Sequence, residues 1–210
     1  SFYYAHHMST IEGGMLCTND FDLYQTFRML RSHGMVRESS SDTLKNTYEK
    51  QYRDLNPDFI FAFPAYNVRN NEIGAIMGRN QLKRLDENIQ LRNRNFKLFL
   101  DHLDVSKYRT DFSLEGSSNY ALNLILQHAD IPFTERLMKR MSDEKIEFRR
   151  GSAGGGNQLR QPYLKKLLGD AYKNYQEVDH IHFHGFYIGN FPSLDEGKII
   201  KLCNILNSVE

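Results

Sequence analysis

The sequence has few of the features that mark a charge-driven, membrane-spanning or disulfide-stabilised protein. Its 27 Lys and Arg residues balance 26 Asp and Glu residues, and no basic run is interleaved with aromatics as a nucleic-acid groove requires. No apolar run approaches the roughly 18 residues of a membrane helix, and no signal peptide opens the chain. Cys17 and Cys203 form no C-x-x-C motif, and their apolar surroundings predict buried, reduced thiols. We therefore expect a cytoplasmic protein without nucleic-acid or membrane partners.

Lysine is also missing from residues 1–44, and the first lysine in the sequence is Lys45. Residues 1–14 read SFYYAHHMSTIEGG. This stretch resembles the S-F-x-x-x-K-x-x-x-x-x-E-G-G signature of the DegT/DnrJ/EryC1/StrS sugar aminotransferases, whose lysine binds pyridoxal phosphate (PLP) covalently. Aligned on the flanking motif, His6 stands at the lysine position. An imidazole cannot condense with an aldehyde, but it titrates near neutral pH, so His6 is the candidate acid–base catalyst and the adjacent His7 is not.

The resemblance extends over nearly the whole chain. The other segments similar to family motifs are FRMLRSHG at 27–34, YNVR at 66–69, QLKRLD at 81–86 and GGGNQLRQP at 154–162. A histidine at the lysine position, together with the last of these segments, is most similar to the 3-dehydratase branch of the family. That branch removes a sugar hydroxyl where other members transfer an amino group.

The resemblance implies a fold and a domain organisation. The fold is expected to be α/β, as the C-terminal part of an aspartate-aminotransferase-like (fold type I) PLP enzyme. Residues 1–94 would be the remainder of the large PLP-binding domain with a long bridging helix, and residues 95–210 a small C-terminal α/β domain. Because residue 1 already lies inside the cofactor motif, we expect an incomplete active site, either in a fragment or in one half of a two-chain enzyme.

The resemblance also implies a reaction. The cofactor would be pyridoxal 5′-phosphate or pyridoxamine 5′-phosphate (PMP), and the substrate a nucleotide-linked 4-keto-6-deoxysugar that loses its C3 hydroxyl in deoxysugar biosynthesis. Glutamate would be the amino donor that regenerates PMP. A related branch uses an iron–sulfur cluster, which usually needs four cysteines where this chain has two. A non-catalytic subunit or scaffold remains an alternative.

Site residues follow from the matched motifs. Ser1, Asn67 and Arg69 would hold the cofactor, and Asn67 would reach the cofactor phosphate of the other subunit in a homodimer. Short polar donors and a guanidinium suit a dianionic phosphate. On residue type alone, Asn67 could equally be a turn residue and Arg69 a solvated surface charge. The candidates for substrate binding are Asn157, Arg160 and Gln161.

Two further patterns are open to more than one interpretation. The loop 151–156 lacks the G-x-x-x-x-G-K-[ST] pattern, so we interpret it as a flexible lip over the sugar nucleotide or as a plain flexible loop. His180, His182 and His184 alternate, and on a strand they would line one face. Three histidines can bind zinc, but we assign no metal and interpret them as a polar sheet face near the active-site mouth.

Hydrophobic periodicity predicts alternating helices and strands. The predicted elements are a buried strand at 13–18, a helix from Asp20 or Asp22 to His33 with Gly34 as its stop, a polar insertion at 35–58, a helix over 71–102, strands at 120–127, 146–149 and 180–189, and helices at 133–143, 162–168 and 194–206.

Overall fold

The computed structural model describes residues 1–151 and 155–210, which divide into two units. The first unit is Ser1–Lys83 and the second is Arg84–Glu210. The division falls between two helices, whereas the predicted boundary between residues 94 and 95 lies inside the second of them.

The first unit contains three helices whose starts are set by side-chain caps. They are α1 (Phe21–Leu30), α2 (Asp42–Gln51) and α3 (Glu72–Leu82). Asp20, Ser41 and Asn71 each accept a hydrogen bond from a backbone N–H in the following first turn. Such caps satisfy donors that have no partner within the helix. The predicted helix after Asp20 is confirmed, although it ends at Leu30 rather than at His33.

Gly34 is required where the chain reverses after α1. Its φ is +75°, and its N–H donates to the Met29 carbonyl at the helix end. A methyl group at this position would lie 2.1 Å from the carbonyl oxygen of Phe63. Any side chain would therefore force the two backbone segments apart.

In the first unit, the prediction for residues 35–58 omits a helix, and the prediction of a buried strand at 13–18 is wrong. The insertion at 35–58 contains α2, which has no buried residue and therefore no apolar stripe that could reveal it in the sequence. Residues 13–18 lie outside the helices and strands, and Met15 and Leu16 are 69% and 74% exposed. An apolar run becomes a buried strand only beside another strand, and the described part of this unit forms only isolated bridges.

The second unit is built around a three-stranded antiparallel sheet. The elements are α4 (Leu85–His102), β1 (Ala121–Ile125), α5 (Ile131–Asp143), β2 (Phe148–Arg150), α6 (Pro162–Leu168), α7 (Gln176–His184), β3 (Gly185–Gly189) and α8 (Glu196–Asn207). The strand order is β1-β3-β2, with Leu124 opposite Phe186 and Phe148 opposite Ile188. The helices at 133–143, 162–168 and 194–206 and the strands at 120–127 and 146–149 are confirmed, with small shifts of their ends.

Helices α4, α5 and α8 and the sheet share one hydrophobic core. Phe99, Leu122, Leu137, Phe186 and Leu206 are fully buried within it. Phenylalanine and leucine side chains of this size contribute roughly 1.5–3 kcal/mol each when they are fully removed from water. The core therefore gives the second unit a substantial source of stability of its own.

Two further predictions need correction. The single helix over 71–102 is two helices, α3 and α4, and the acidic Asp86 and Glu87 lie in the first turn of α4, where negative charge favours a helix start. The strand at 180–189 is the end of α7 followed by β3. Gly185 allows this change because a methyl group there would lie 2.5 Å from the Ile181 carbonyl oxygen. None of the helices in the described residues combines the length and apolarity needed to cross a membrane.

Candidate functional site

His6 lies in a loop of the first unit that backbone hydrogen bonds close at its base. The N–H of Phe2 donates to the Gly13 carbonyl at 2.9 Å, and the N–H of Thr10 donates to the Phe2 carbonyl at 2.9 Å. Within the loop, the His6 N–H donates to the Tyr3 carbonyl at 3.1 Å, and the His6 side chain is half-buried. The fixed spacing between Phe2 and Gly13 in the sequence motif is therefore the spacing that closes this loop.

Thr10 and three glycines fix the base of the loop against α3. The Thr10 hydroxyl donates to the Glu12 carbonyl at 2.7 Å. Gly13 has a φ of +141°, and a methyl group there would lie 3.0 Å from the Thr10 hydroxyl oxygen. Methyl groups on Gly74 or Gly78 would also come within 3.7 Å and 3.3 Å of Thr10. The motif glycine at 13 is thus a backbone requirement, and Thr10, which sequence reasoning missed, packs against Gly13, Gly74 and Gly78 at the base of the loop.

Asn67 and Arg69 lie together in the first unit. Arg69 Nε donates to Asn67 Oδ1 at 3.2 Å, and both residues are exposed. Asn67 also forms an isolated bridge with Ser32, so the YNVR segment pairs with the end of the FRMLRSHG segment. Further along, the amide nitrogen of Asn70 would lie 3.6 Å from a methyl group on Gly13. The two motif segments and the base of the His6 loop are therefore neighbours.

Ser1 is exposed at the beginning of the loop that contains His6. Its hydroxyl accepts a hydrogen bond from the Tyr3 N–H at 3.3 Å. The hydroxyl hydrogen remains as a donor because this contact uses only an oxygen lone pair. Asn67 likewise keeps both amide hydrogens, since Arg69 occupies its oxygen. Hydroxyl, amide and guanidinium donors together have the chemistry that a phosphate group requires.

Two of the three predicted substrate-binding residues converge on one carboxylate in the second unit. Arg160 donates from Nε and Nη2 to the two oxygens of Asp179 at 2.7 and 2.6 Å. Asn157 Nδ2 donates to Asp179 Oδ1 at 2.8 Å, and Asn157 is buried. Gln161 is separate from this arrangement, and its carbonyl accepts from the first turn of α6. The predicted loop residues Ser152, Ala153 and Gly154 lie outside the described residues.

The ionisation of the pair is fixed by its hydrogen bonds. The Arg160 guanidinium lowers the pKa of the Asp179 carboxyl, and the same hydrogen bonds raise the pKa of Arg160. The pair is therefore fully charged at neutral pH. Sequence reasoning missed Asp179, which would have been visible only if α7 had been recognised as a helix.

The three histidines of α7 have separate partners. His180 Nε2 lies 2.6 Å from the Leu126 carbonyl, and His182 Nδ1 accepts from the Asn157 N–H at 3.1 Å. His184 Nδ1 lies 2.8 Å from the Thr134 hydroxyl. The prediction of one shared face is wrong because the residues are helical. Across residues 1–151 and 155–210, no group of three or more His, Cys, Asp and Glu side chains is placed to hold a metal ion.

The two cysteines differ in their surroundings. Cys203 is buried in the core, and burial raises the pKa of its thiol to about 12. It is therefore a structural thiol with little thiolate at neutral pH. Cys17 is exposed, contrary to the prediction, because the apolar run around it is not part of a sheet.

Comparison with known proteins identifies relatives along almost the entire chain. The sequence profile described as the DegT/DnrJ/EryC1/StrS aminotransferase family matches residues 1–207. The GDP-4-keto-6-deoxy-D-mannose 3-dehydratase of Yersinia pseudotuberculosis is 28% identical over 208 residues, which cover 98% of this chain and 52% of the relative. The enzyme of the same name from Escherichia coli O55:H7 is 28% identical over 192 residues, covering 90% of this chain and 49% of the relative.

The fold agrees with this relationship. A solved structure of the E. coli 3-dehydratase with bound hydrated PLP superposes with a TM-score of 0.72 at 25% identity, covering 98% of this chain and 52% of that chain. The chain therefore spans about half the length of the curated relatives it matches. Its mixed α/β elements are those of fold type I PLP-dependent enzymes. By its sequence profile and its fold, the chain belongs to the DegT/DnrJ/EryC1/StrS aminotransferase family.

Proposed function

We propose that the complete protein is a PMP- and PLP-dependent 3-dehydratase that removes the C3 hydroxyl of a nucleotide-linked 4-keto-6-deoxyhexose. The observation that carries the proposal is His6. The resemblance to the family motif assigns it to the lysine position, and the closure of its loop between Phe2 and Gly13 supports that alignment. The 3-dehydratase names of the Yersinia and E. coli relatives support the same reaction.

The donor groups of the first unit fit a phosphorylated cofactor. Ser1, Asn67 and Arg69 would hold its phosphate, since each retains hydrogen-bond donors at the surface. When bound, PMP supplies an amine for the C4 ketone and an electron-accepting ring, chemistry that no side chain provides. Asn67 would serve the cofactor of the neighbouring subunit, which makes the active form a homodimer.

His6 supplies the acid–base function. With no lysine before Lys45, the loop cannot hold the cofactor covalently, and an imidazole can accept and release a proton at a ring nitrogen near neutral pH. Removal of the C3 hydroxyl as water requires a proton on the departing oxygen, which His6 would deliver. Glutamate would act as the amino donor that restores the cofactor after each turnover.

The proposal is tested by replacing His6 and its neighbour in the complete protein. His6→Asn keeps a polar side chain but removes the acid–base group, so we expect retained cofactor binding and a kcat lower by about 10²–10⁴-fold. His7→Asn is the matched control, and we expect a loss below about tenfold. Sugar turnover by mass spectrometry and cofactor absorbance provide the two measurements.

A covalent assay addresses the cofactor directly. Borohydride treatment of the PLP-loaded protein should leave no pyridoxyl group on an active-site lysine. A lysine adduct, or a larger loss in His7→Asn than in His6→Asn, would contradict the proposed function. Cofactor binding without turnover in the unmodified protein would indicate a non-catalytic subunit instead.

A further inference from the structure

Asp179 attaches the turn at residues 155–160 to helix α7. It accepts three hydrogen bonds, from Arg160 Nε at 2.7 Å, Arg160 Nη2 at 2.6 Å and Asn157 Nδ2 at 2.8 Å. A two-pronged contact between a guanidinium and a carboxylate is both strong and directional. The orientation of Asn157 and Arg160 therefore depends on one acidic side chain that the family motifs do not include.

Aromatic rings hold the Arg160 guanidinium in addition to Asp179. Its central carbon lies 4.0 Å from the centroid of the Tyr172 ring and 4.9 Å from that of Phe183. The side chains of Arg160 and Asp179 are only 28% and 21% exposed. A guanidinium whose charge is matched by a carboxylate and whose planar group contacts two rings is a weak anchor for a second anion.

His182 forms the other attachment of the turn. Its Nδ1 accepts the backbone N–H of Asn157 at 3.1 Å, and a methyl group on Gly156 would lie 2.4 Å from the same nitrogen. Gly156 has a φ of +83°, which only glycine adopts readily. The turn is thus fixed to α7 through both its backbone and its side chains. We call Asn157, Arg160, Asp179 and His182 the Asp179 latch.

We propose that Asp179 is a positioning residue for substrate binding, and that Arg160 acts through Asp179 rather than by contacting the diphosphate of the sugar nucleotide. This inference rests on the proposed function, because it takes the turn and the adjoining Gln161 to border the substrate. The Gln161 side chain lies outside the latch, and its amide nitrogen would be 3.5 Å from a methyl group on Gly155. Gln161 is then the side chain of the three candidates that is left to meet the substrate.

The two possible roles of Arg160 predict opposite effects of Asp179→Asn. If Arg160 were a direct ligand, loss of the carboxylate would release a positive charge, and nucleotide affinity would stay the same or increase. If the latch positions the turn, affinity falls, and we expect an increase in Kd of about tenfold or more, as for loss of a charge-assisted hydrogen bond. Arg160→Gln should have a similar effect, and the double variant should be no worse than either single variant.

The binding experiment uses GDP, UDP and dTDP as probes, measured by calorimetry on the complete protein. Glu177→Gln is the matched control. Glu177 lies on the same helix, and its carboxylate pairs with Arg109 Nη1 at 2.9 Å instead of with the turn. We expect this control to change nucleotide affinity less than about twofold. Binding of none of the three nucleotides by the unmodified protein would overturn the inference.

Hydrogen exchange reports the attachment of the turn without any ligand. In Asp179→Asn, amides at residues 155–161 should exchange about tenfold faster or more, while those of β1 and α8 are unchanged. Faster exchange throughout the second unit would show that Asp179 only stabilises the unit, and it would overturn the inference. Unchanged nucleotide affinity in Asp179→Asn, despite faster exchange in the turn, would also overturn it.

Steady-state kinetics separates this inference from the proposed function. In an active dehydratase, Asp179→Asn should raise KM with little change in kcat, because it disturbs binding and not proton transfer. A protein without dehydratase turnover whose nucleotide affinity falls in Asp179→Asn would contradict the proposed function while supporting the inference. A lower kcat at unchanged KM would overturn the inference.

Discussion

The two units divide stability and chemistry between them. In Ser1–Lys83 the buried hydrophobic side chains are Met29, Met35, Val36 and Ile60. In Arg84–Glu210 a continuous cluster joins three helices to the sheet, with side chains such as Phe99 and Leu122 fully buried. Yet His6, Asn67 and Arg69 all belong to the first unit. The residues proposed to bind the cofactor and move the proton therefore lie in the part of the chain with the smaller core.

The two units also differ in how their exposed apolar side chains relate to a core. Leu16, Ile73 and Ile76 of the first unit are 74%, 72% and 67% exposed. The second unit also exposes apolar side chains, such as Leu167, but it retains a core beneath them. Apolar surface of this extent normally marks a site of contact with other polypeptide. We infer that the first unit requires such contacts, whereas the second is stabilised largely by its own packing.

Expressing the two units as separate polypeptides should reveal the largest difference in their folding stability. We expect residues 84–210 to be soluble and to unfold cooperatively on heating, because the hydrophobic core lies entirely within them. Residues 1–83 alone should lack a cooperative transition and show little helix, since short helices need packing to be stable in water. Circular dichroism during thermal denaturation measures both. A sharp transition for residues 1–83, or none for residues 84–210, would contradict this difference in stability between the two units.

Single substitutions in the two units should change the free energy of unfolding by different amounts. Phe99→Ala removes a fully buried ring from the second unit, and we expect the free energy of unfolding to fall by about 3–5 kcal/mol. Ile76→Ala shortens a side chain that is mostly exposed in the first unit, and we expect a change within about 0.5 kcal/mol. Urea denaturation of the chain provides the measurement. Equal losses would mean that Ile76 is buried in solution against a second surface.

The sequence predicted those elements whose local signals agree with their tertiary contacts. Helix α5 combines the Asp130 cap, whose side chain accepts from the Phe133 N–H, with buried positions at Leu137 and Met141. Proline opens α6 at the position where its missing N–H has no cost. Helix α2 lacks a buried face, so only its Ser41 cap signals it, and a cap alone does not distinguish a helix from a turn.

The candidate site was predictable only where a motif encodes local geometry. The His6 loop closes between residues close in sequence, so its spacing survives as a recognisable pattern. The contact of Arg160 with Asp179 depends on the folding of α7 against the turn, and no spacing in the sequence reports it. The alternation of His180, His182 and His184 also suits a strand, and the choice of helix depends on tertiary contacts such as that of His184 with Thr134.

The smallest expected effect is a pH dependence of the free energy of unfolding that arises from two histidines of the second unit. Burial lowers the pKa of His184, with a further lowering from His180, and burial together with Arg160 lowers that of His182. Both imidazoles therefore bind a proton less readily in the folded state than in the unfolded chain. The unfolded chain accepts protons on these residues as the pH falls through about 6.5, the ordinary histidine value, before the folded chain does. Folded stability should accordingly decrease from pH 7 to pH 5.

Asp179 makes no contribution in this pH range, because its lowered pKa keeps it ionised in the folded state and its ordinary value is already below pH 5. The acid sensitivity can therefore be assigned to the histidines by substitution. The double variant His182→Gln/His184→Gln should be less stable than the unmodified chain at pH 7 but should lose less stability between pH 7 and pH 5. Urea denaturation of residues 84–210 at both pH values measures the difference. An unchanged pH dependence in the double variant would show that other groups accept the protons.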